Sequence, residues 1–357
     1  MKINMNGLIN SAIKRALQKR GEIMQHKMCR SETASLLKNI ESENGALNPK
    51  FKKMALEYAQ DVLGSKHYAP WLNVYAAMTG DFIEGWIPEN YFSSVVIPNT
   101  QGLYGKVSFA KSLSRKFLNT DRLPDIAYYV NGLFFSLSWE ILPPEEVENY
   151  IFSHNDKVVY KQDISLRGLG IRFFTKETFD MEEIRKIGNG VFQKYIRQHG
   201  FFEEILPNIV ATLRLTSVIN NKGEASCRSA FLRLGRQDST HCKWATDTKI
   251  PVDLKTGKLY EKGYSLEMKS TNCHPDTKVF FKGKIIPKFE ECLNYVEKTH
   301  KTVSYCRMVG WDLIVNENEE IQLMEWNGYF NDITFAEATQ GPCFADMGWE
   351  KIWKEKK

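Results

Sequence analysis

Much that would place a chain in a familiar class is missing from these 357 residues. No uninterrupted apolar run reaches about 18 residues, so no membrane-spanning helix is expected. Lys2, Lys14, Arg15, Lys19 and Arg20 interrupt the N-terminus too closely for the apolar region of a signal peptide. The seven cysteines are odd in number and scattered, which excludes a tidy disulfide framework and fits a reducing cytosolic compartment. The adjacent pairs His241-Cys242 and Cys273-His274, with Cys227 nearby, lack the short cysteine spacing of structural zinc sites. Neither Gly-x-x-x-x-Gly-Lys-Ser/Thr nor Gly-x-Gly-x-x-Gly occurs, so a P-loop and a Rossmann fingerprint are both unsupported. There is no internal repeat and no low-complexity stretch. Basic charge is concentrated in residues 1–30 without interleaved aromatics, which argues against nucleic acid as a partner.

What is present is ordinary globular composition, 43% hydrophobic and 25% charged, with length for two or three lobes. Net charge is +5, but residues 1–30 alone carry seven Lys/Arg against one Glu, so the remainder is close to neutral. Leu8, Ile9, Ala12, Ile13, Ala16 and Leu17 recur at helical spacing, with Lys14, Arg15, Lys19 and Arg20 filling the other face. Such a helix either rests on an anionic membrane surface or packs on its own protein with a solvated basic face. The second reading is the simpler.

Four segments follow from composition and pattern. Residues 1–66 read as a basic helical N-terminal region broken at Gly45–Pro49. Residues 67–125 form an aromatic, turn-rich connecting lobe, in which 106–118 resume a helix before Leu123-Pro124. Residues 126–196 hold strands at Ile126–Val130, Lys157–Lys161 and Ile171–Phe174, a helix at Met181–Gly188, and the apolar segment Gly190–Ile196. Residues 197–357 hold two hairpins: Thr212–Ile219 with Ala225–Leu234, and Val309–Val315 with Ile321–Asn327.

The second hairpin carries the densest chemistry. Asp312, Glu325 and Asn327 are hard oxygen donors of the kind Mg²⁺ takes, the rest of its shell coming from water and phosphate. Strand alternation puts Glu325 and Asn327 on one face with Ile321 and Leu323. With an even loop, Asp312 would join that face, opposite Leu323 and diagonal to Glu325; an odd loop would break the site. Upstream, Ser165-Leu-Arg-Gly168-Leu-Gly170 follows a strand ending in Lys161. Glycines there let backbone N–H groups approach phosphate, although a plain hairpin turn reads equally well. Gln193-Lys194-Tyr195-Ile196 could present backbone groups to a planar base. Thr212, Arg214 and Thr216 share a strand face, where an arginine can clamp phosphate or carboxylate.

Taken in series, these pieces resemble the ATP-grasp superfamily, and within it the sugar-transfer-associated ATP-grasp family. The resemblance runs over residues 67–345. It rests on Val159-Tyr-Lys161, Gly168-Leu-Gly170, Phe192–Ile196 with Gln198-His199, and Leu206–Thr216. It continues through His274-Pro-Asp, Ile286-Pro287, Val309-Gly-Trp-Asp312 and Glu325-Trp-Asn327. The resemblance implies an α+β fold in which two lobes with antiparallel-rich sheets grip ATP, beside the helical N-terminal region. The small lobe would be 126–196 and the large lobe 197–357. By the same resemblance Lys161 and an upstream lysine, Lys111 or Lys106, would contact phosphates, covered by Ser165, Gly168 and Gly170. Gln193, Lys194 and Tyr195 would frame the adenine. Asp312, Glu325 and Asn327 would hold Mg²⁺, and Arg214, with Lys161, would serve catalysis. The chain departs from the pattern in Arg167 within the glycine loop, in Gln193-Lys194 where acidic residues are common, and across 235–250.

The expected activity is an ATP-dependent carboxylate–amine ligase working through an acyl-phosphate. The partners would be an amine or amino acid and a carboxylate on a surface or capsular glycan, such as a uronic acid, or on a peptide. The expected location is the cytoplasm, with peripheral contact at the inner membrane face through residues 1–30. The alternatives are a phosphotransferase acting on a sugar and a catalytically silent nucleotide-binding scaffold.

Overall fold

The structure is a computed structural model. It describes residues 5–165, 168–239, 241–243, 245–329 and 331–354, with 5–19 and 22 described as backbone alone. Arg167 of the glycine loop therefore lies outside the described residues. The chain forms two compact units, one of residues 1–99 with 332–357 and one of residues 100–331. The stretch after 331, which the sequence places in the lobe beginning at 197, clusters with the N-terminal helices.

The first unit is helical. Helix α1 (Met5–Asn44) is followed by α2 (Pro49–Asp61), whose N-cap Asn48 accepts a hydrogen bond from the Lys50 N–H with Pro49 at the first turn. Helix α3 (Ala69–Thr79) stops at Gly80, whose φ of 75° only glycine adopts cheaply. Trp71, Tyr75, Trp86, Tyr91, Phe344 and Trp349 are buried among these elements. Glu337 is fully buried there, its two carboxylate oxygens accepting backbone N–H bonds from Ile87 (2.7 Å) and Cys343 (2.8 Å).

The second unit contains two antiparallel sheets. The smaller uses β1 (Asp125–Val130), β2 (Leu133–Ser136), β3 (Ile141–Leu142), β4 (Lys157–Gln162), β5 (Ile171–Thr175) and β6 (Gly190–Lys194), in the order β3-β2-β1-β6-β4-β5. Val158, Tyr160 and Phe192 turn one face of it into a core with Val147 and Ile151 of the helix Pro144–Phe152. The expected helix at 106–118 is instead two 3₁₀ segments, Tyr104–Phe109 and Lys111–Leu113, and a short α-turn, Ser114–Leu118.

The larger sheet uses β7 (Thr212–Ile219), β8 (Ala225–Leu234), β9 (Thr248–Pro251), β10 (Gly263–Tyr264), β11 (Ser270–Thr271), β12 (Met308–Val315) and β13 (Ile321–Asn327). Its order is β11-β10-β9-β8-β7-β12-β13. Leu213, Leu215, Leu232, Trp311, Leu313 and Trp326 are buried in one core with Phe289, Cys292 and Val296 of the helix Phe289–His300. A hydrogen-bond chain fixes the depth of that core. Trp311 Nε1 donates to Ser217 Oγ (2.8 Å), and Ser217 meets His300 Nδ1 (2.7 Å). Because the Cys306 carbonyl can only accept, His300 Nε2 must donate to it (2.8 Å), which leaves Nδ1 to accept from the Ser217 hydroxyl. Burial holds this imidazole neutral, its pKa lowered to about 4.

Candidate functional site

The opposite face of the larger sheet is ionic, and a register shift makes it so. The loop between β12 and β13 is residues 316–320, an odd number, and Val315 pairs with Ile321, Ile314 with Gln322 and Leu313 with Leu323. Continued unbroken, that register would set Asp312 opposite Met324 and turn Glu325 to the other face. Instead one extra residue enters between Leu323 and Glu325, so Asp312 pairs directly with Glu325 and Gly310 with Asn327. The expectation from sequence is corrected on two points. Asp312 is directly opposite Glu325, not diagonal to it, and Leu323 lies on the apolar face with Leu313. The odd loop does not break the site, because the bulge restores the phase.

The bulge does a second thing. The Met324 carbonyl accepts a hydrogen bond from Lys161 Nζ of β4 at 3.0 Å. Lys161 is half-buried, and desolvation lowers its pKa against the pull of Glu325. Lys111 Nζ stands beside it, 3.3 Å from Glu325 Oε1 and donating to the Ser165 carbonyl at 2.8 Å. Lys106, the other candidate, lies over the Tyr329 ring instead, 5.1 Å from its centroid.

On β7 and β12, Arg214 and Asp312 are cross-strand partners. Arg214 Nε and Nη2 donate to the two Asp312 oxygens at 2.5 and 3.0 Å. Its Nη1 donates to Asn331 Oδ1 at 2.8 Å, and Asn331 Nδ2 donates to Thr216 Oγ1 at 3.0 Å. A Cβ at position 310 would collide with Asn331 Oδ1, which is why a glycine precedes Trp311-Asp312. Burial pushes the Asp312 carboxyl up, but the Arg214 guanidinium more than offsets this and holds it below the usual carboxylate range. One strand further, Arg233 Nε and Nη2 donate to Asp247 Oδ2 at 2.9 and 2.6 Å, and Arg233 Nη1 lies 4.0 Å from Asp312.

The site therefore gathers Lys111, Lys161, Arg214 and Arg233 around Asp312, Glu325 and Asp247. Such a surplus of cations suits a ligand with several anionic oxygens. Glu325 is the reachable carboxylate, with a side chain 33% exposed against 9% for Asp312.

The glycine loop closes as a turn, with the Gln162 N–H on the Gly170 carbonyl at 2.9 Å and Ser165 Oγ donating to Gln162 O at 2.6 Å. Gly168 has φ of +80°, and His241 Nε2 reaches its carbonyl at 3.2 Å. The segment 193–195 is tied into the smaller sheet at its start. The buried Gln193 side chain donates to Asp125 Oδ1 at 2.8 Å, and the Lys194 N–H is spent on Pro124 O. β6 ends at Lys194, so backbone outside the ladder begins at Tyr195, whose ring lies under Lys157 Nζ at 4.2 Å. Asn331, Arg233, Asp247 and Asp125 escape a reading of the sequence, since no local pattern distinguishes them. Gly310 alone left a signal, as a glycine inside a strand.

Residues 185–345 match the model of the family described as "Sugar-transfer associated ATP-grasp". The matched residues take in the larger sheet and β6 of the smaller one. Over that stretch the chain is similar to the ATP-grasp superfamily. It resembles the sugar-transfer associated family within that superfamily. No curated protein matches it. Among solved structures it is similar to an ADP complex of N5-carboxyaminoimidazole ribonucleotide synthetase, at 10% identity and a TM-score of 0.39, covering 65% of this chain and 47% of that one. It is also similar to the ATP-grasp ligase PsnB with its minimal precursor, at 11% identity and 0.41, covering 72% and 63%. A third is the D-alanine-D-alanine ligase of Coxiella burnetii, at 10% and 0.37, covering 70% and 60%. The chain thus spans between about half and just under two thirds of those structures.

The donor set of this ionic face suits a hard cation in kind, and one member is already engaged. Glu325 and Asn327 share the face, but both Asp312 oxygens are paired with Arg214. Among the described residues no group of three or more His, Cys, Asp or Glu is placed to hold a metal ion. Asn327 adds an amide oxygen on the same face, and a ligand could bring further oxygens.

Proposed function

We propose that this chain is an ATP-dependent carboxylate–amine ligase, which activates a carboxylate as an acyl-phosphate and passes the acyl group to an amine. One observation carries the reading. Lys111, Lys161 and Arg214, from three separate elements, converge on the sheet face that presents Glu325 and Asn327.

Lys111 and Lys161 would exchange their present oxygen partners, Ser165 O and Met324 O, for phosphate oxygens. The β12–β13 bulge aims that swap, because it sets the Met324 carbonyl where Lys161 already points. Arg214, kept in place by Asp312 and Asn331, would neutralise charge on the group in transfer. The chemistry that Mg²⁺ would supply there is neutralisation of phosphate charge. Glu325 and Asn327 would hold the ion, with Asp312 joining only by giving up part of its arginine pairing. Catalysis of this kind is positioning and electrostatics, and it needs no Ser/His/Asp set.

The family's description motivates a glycan acid, such as a uronic acid, as the carboxylate, with an amino acid or peptide chemistry as the other candidate. A cytoplasmic location fits both.

The test is ADP release across a panel of carboxylates and amines, with product mass. Release is expected only with a matching pair, and Glu325→Gln should abolish it while leaving the melting temperature unchanged. Unchanged release in that variant, or release independent of any carboxylate, would sink the ligase reading. The Asp312–Arg214 pairing favours a second reading, a silent nucleotide-binding scaffold. It predicts Mg-ATP binding with no ADP release on the whole panel.

A further inference from the structure

Helix α1 has two apolar faces, and they lie on opposite sides. Its C-terminal half buries Cys29, Thr33 and Ile40. At 3.6 residues per turn these three positions form one stripe. Met24 and Met28 fall on the other side of the helix and are 59% and 66% exposed, with Ile23 next to them at 60%. The positions of Ile9, Ile13 and Leu17 continue the line of Met24 and Met28, not the line of Cys29 and Thr33. The stripe that packs α1 into its own unit is a different one from the stripe that Met24 and Met28 display.

We propose that this second stripe is a docking surface for an anionic lipid bilayer, on which the N-terminal half of α1 lies in the interface plane. Charge selects the occupant. Residues 1–30 carry seven Lys/Arg against one Glu, and Arg20 and Lys27 fall within the arc of the stripe, both exposed. A protein partner would have to neutralise cations standing among its apolar contacts. A bilayer surface accepts that arrangement, because long cationic side chains reach up to phosphate headgroups while methionine and isoleucine enter the acyl boundary. No described helix is long and apolar enough to cross a membrane, so the contact is peripheral. The inference is independent of the ligase reading.

The test is sedimentation of the full chain with vesicles of phosphatidylcholine alone or with added phosphatidylglycerol. Pelleting is expected with the anionic vesicles only, and it should weaken as salt is raised. Met24→Ser/Met28→Ser and Arg20→Glu/Lys27→Glu should each lower partitioning by about tenfold or more. Circular dichroism and melting should stay as in the wild type, because these side chains are exposed. Absence of pelleting, or equal pelleting with neutral vesicles, would overturn the proposal. So would concentration-dependent self-association that the methionine variant abolishes while pelleting persists, since the stripe would then belong to a second copy.

Discussion

The two faces of the seven-stranded sheet are built from the same strands and obey opposite rules. Trp311 and Asp312 are neighbours in sequence. One is locked into a dry core through Ser217 and His300, the other into an ionic row with Arg214 and Arg233. On the dry face the polar groups are few and each has its partner, so the face specifies the fold. On the ionic face cations outnumber carboxylates, which is a poor way to build a stable sheet and a good way to receive polyphosphate. In this unit a dry core and an ionic row are separated by the thickness of one sheet.

Breaking either side should give different signatures. Trp311→Ala removes one of the two tryptophans of the dry face and takes from Ser217 the donor it accepts from; a loss of about 3–5 kcal/mol in denaturant unfolding is expected. Arg214→Met leaves Asp312 buried and unpaired, and should cost a similar ~3–5 kcal/mol while also removing turnover. If Arg214→Met leaves stability intact, Asp312 is not the buried charge described here.

Acid should act on the dry face first. His300 has its pKa lowered to about 4 in the folded state, below its ordinary 6.5. Its contribution is thus fully present above pH 6.5 and is lost as pH falls through 4, amounting to roughly 3 kcal/mol. A melting series across that window checks it, and His300→Gln should flatten the slope.

In the other unit Glu337 works in the opposite sense. Burial raises its pKa to about 8 despite two backbone N–H bonds, so its protonation favours the folded state below about 4.5, and that support fades as pH rises through 8. Asn331→Ala should have the smallest effect, about 1.5–3 kcal/mol for a bond to a charged group, with weaker ATP affinity because Arg214 loses its second anchor.

How much of this could be read from the sequence depends on the length of the pattern. β7, β8 and β13 begin and end where alternation says they should, because eight, ten and seven residues are enough to express a period of two. β3, β10 and β11 have two residues each and express none. Asp312, Glu325 and Asn327 could be singled out from the sequence, but their geometry could not. A bulge at Met324 is a tertiary choice made by two neighbouring strands, and without it the odd loop points the wrong way. The Gln193 contact was illegible for a related reason, since its partner Asp125 lies on a strand 68 positions away. The stripe on α1 was visible as a period, yet the face it occupies became meaningful only once the buried face was known.

The central claim is that the ionic face holds the phosphate end of Mg-ATP with Lys161 in its floor. Calorimetric titration of Mg-ATP into the wild type and Lys161→Met tests it most directly. The account predicts saturable, Mg²⁺-dependent binding to the wild type, and affinity at least about tenfold weaker in the variant at equal melting temperature. Equal affinity in the two proteins, or no binding to the wild type, would contradict it.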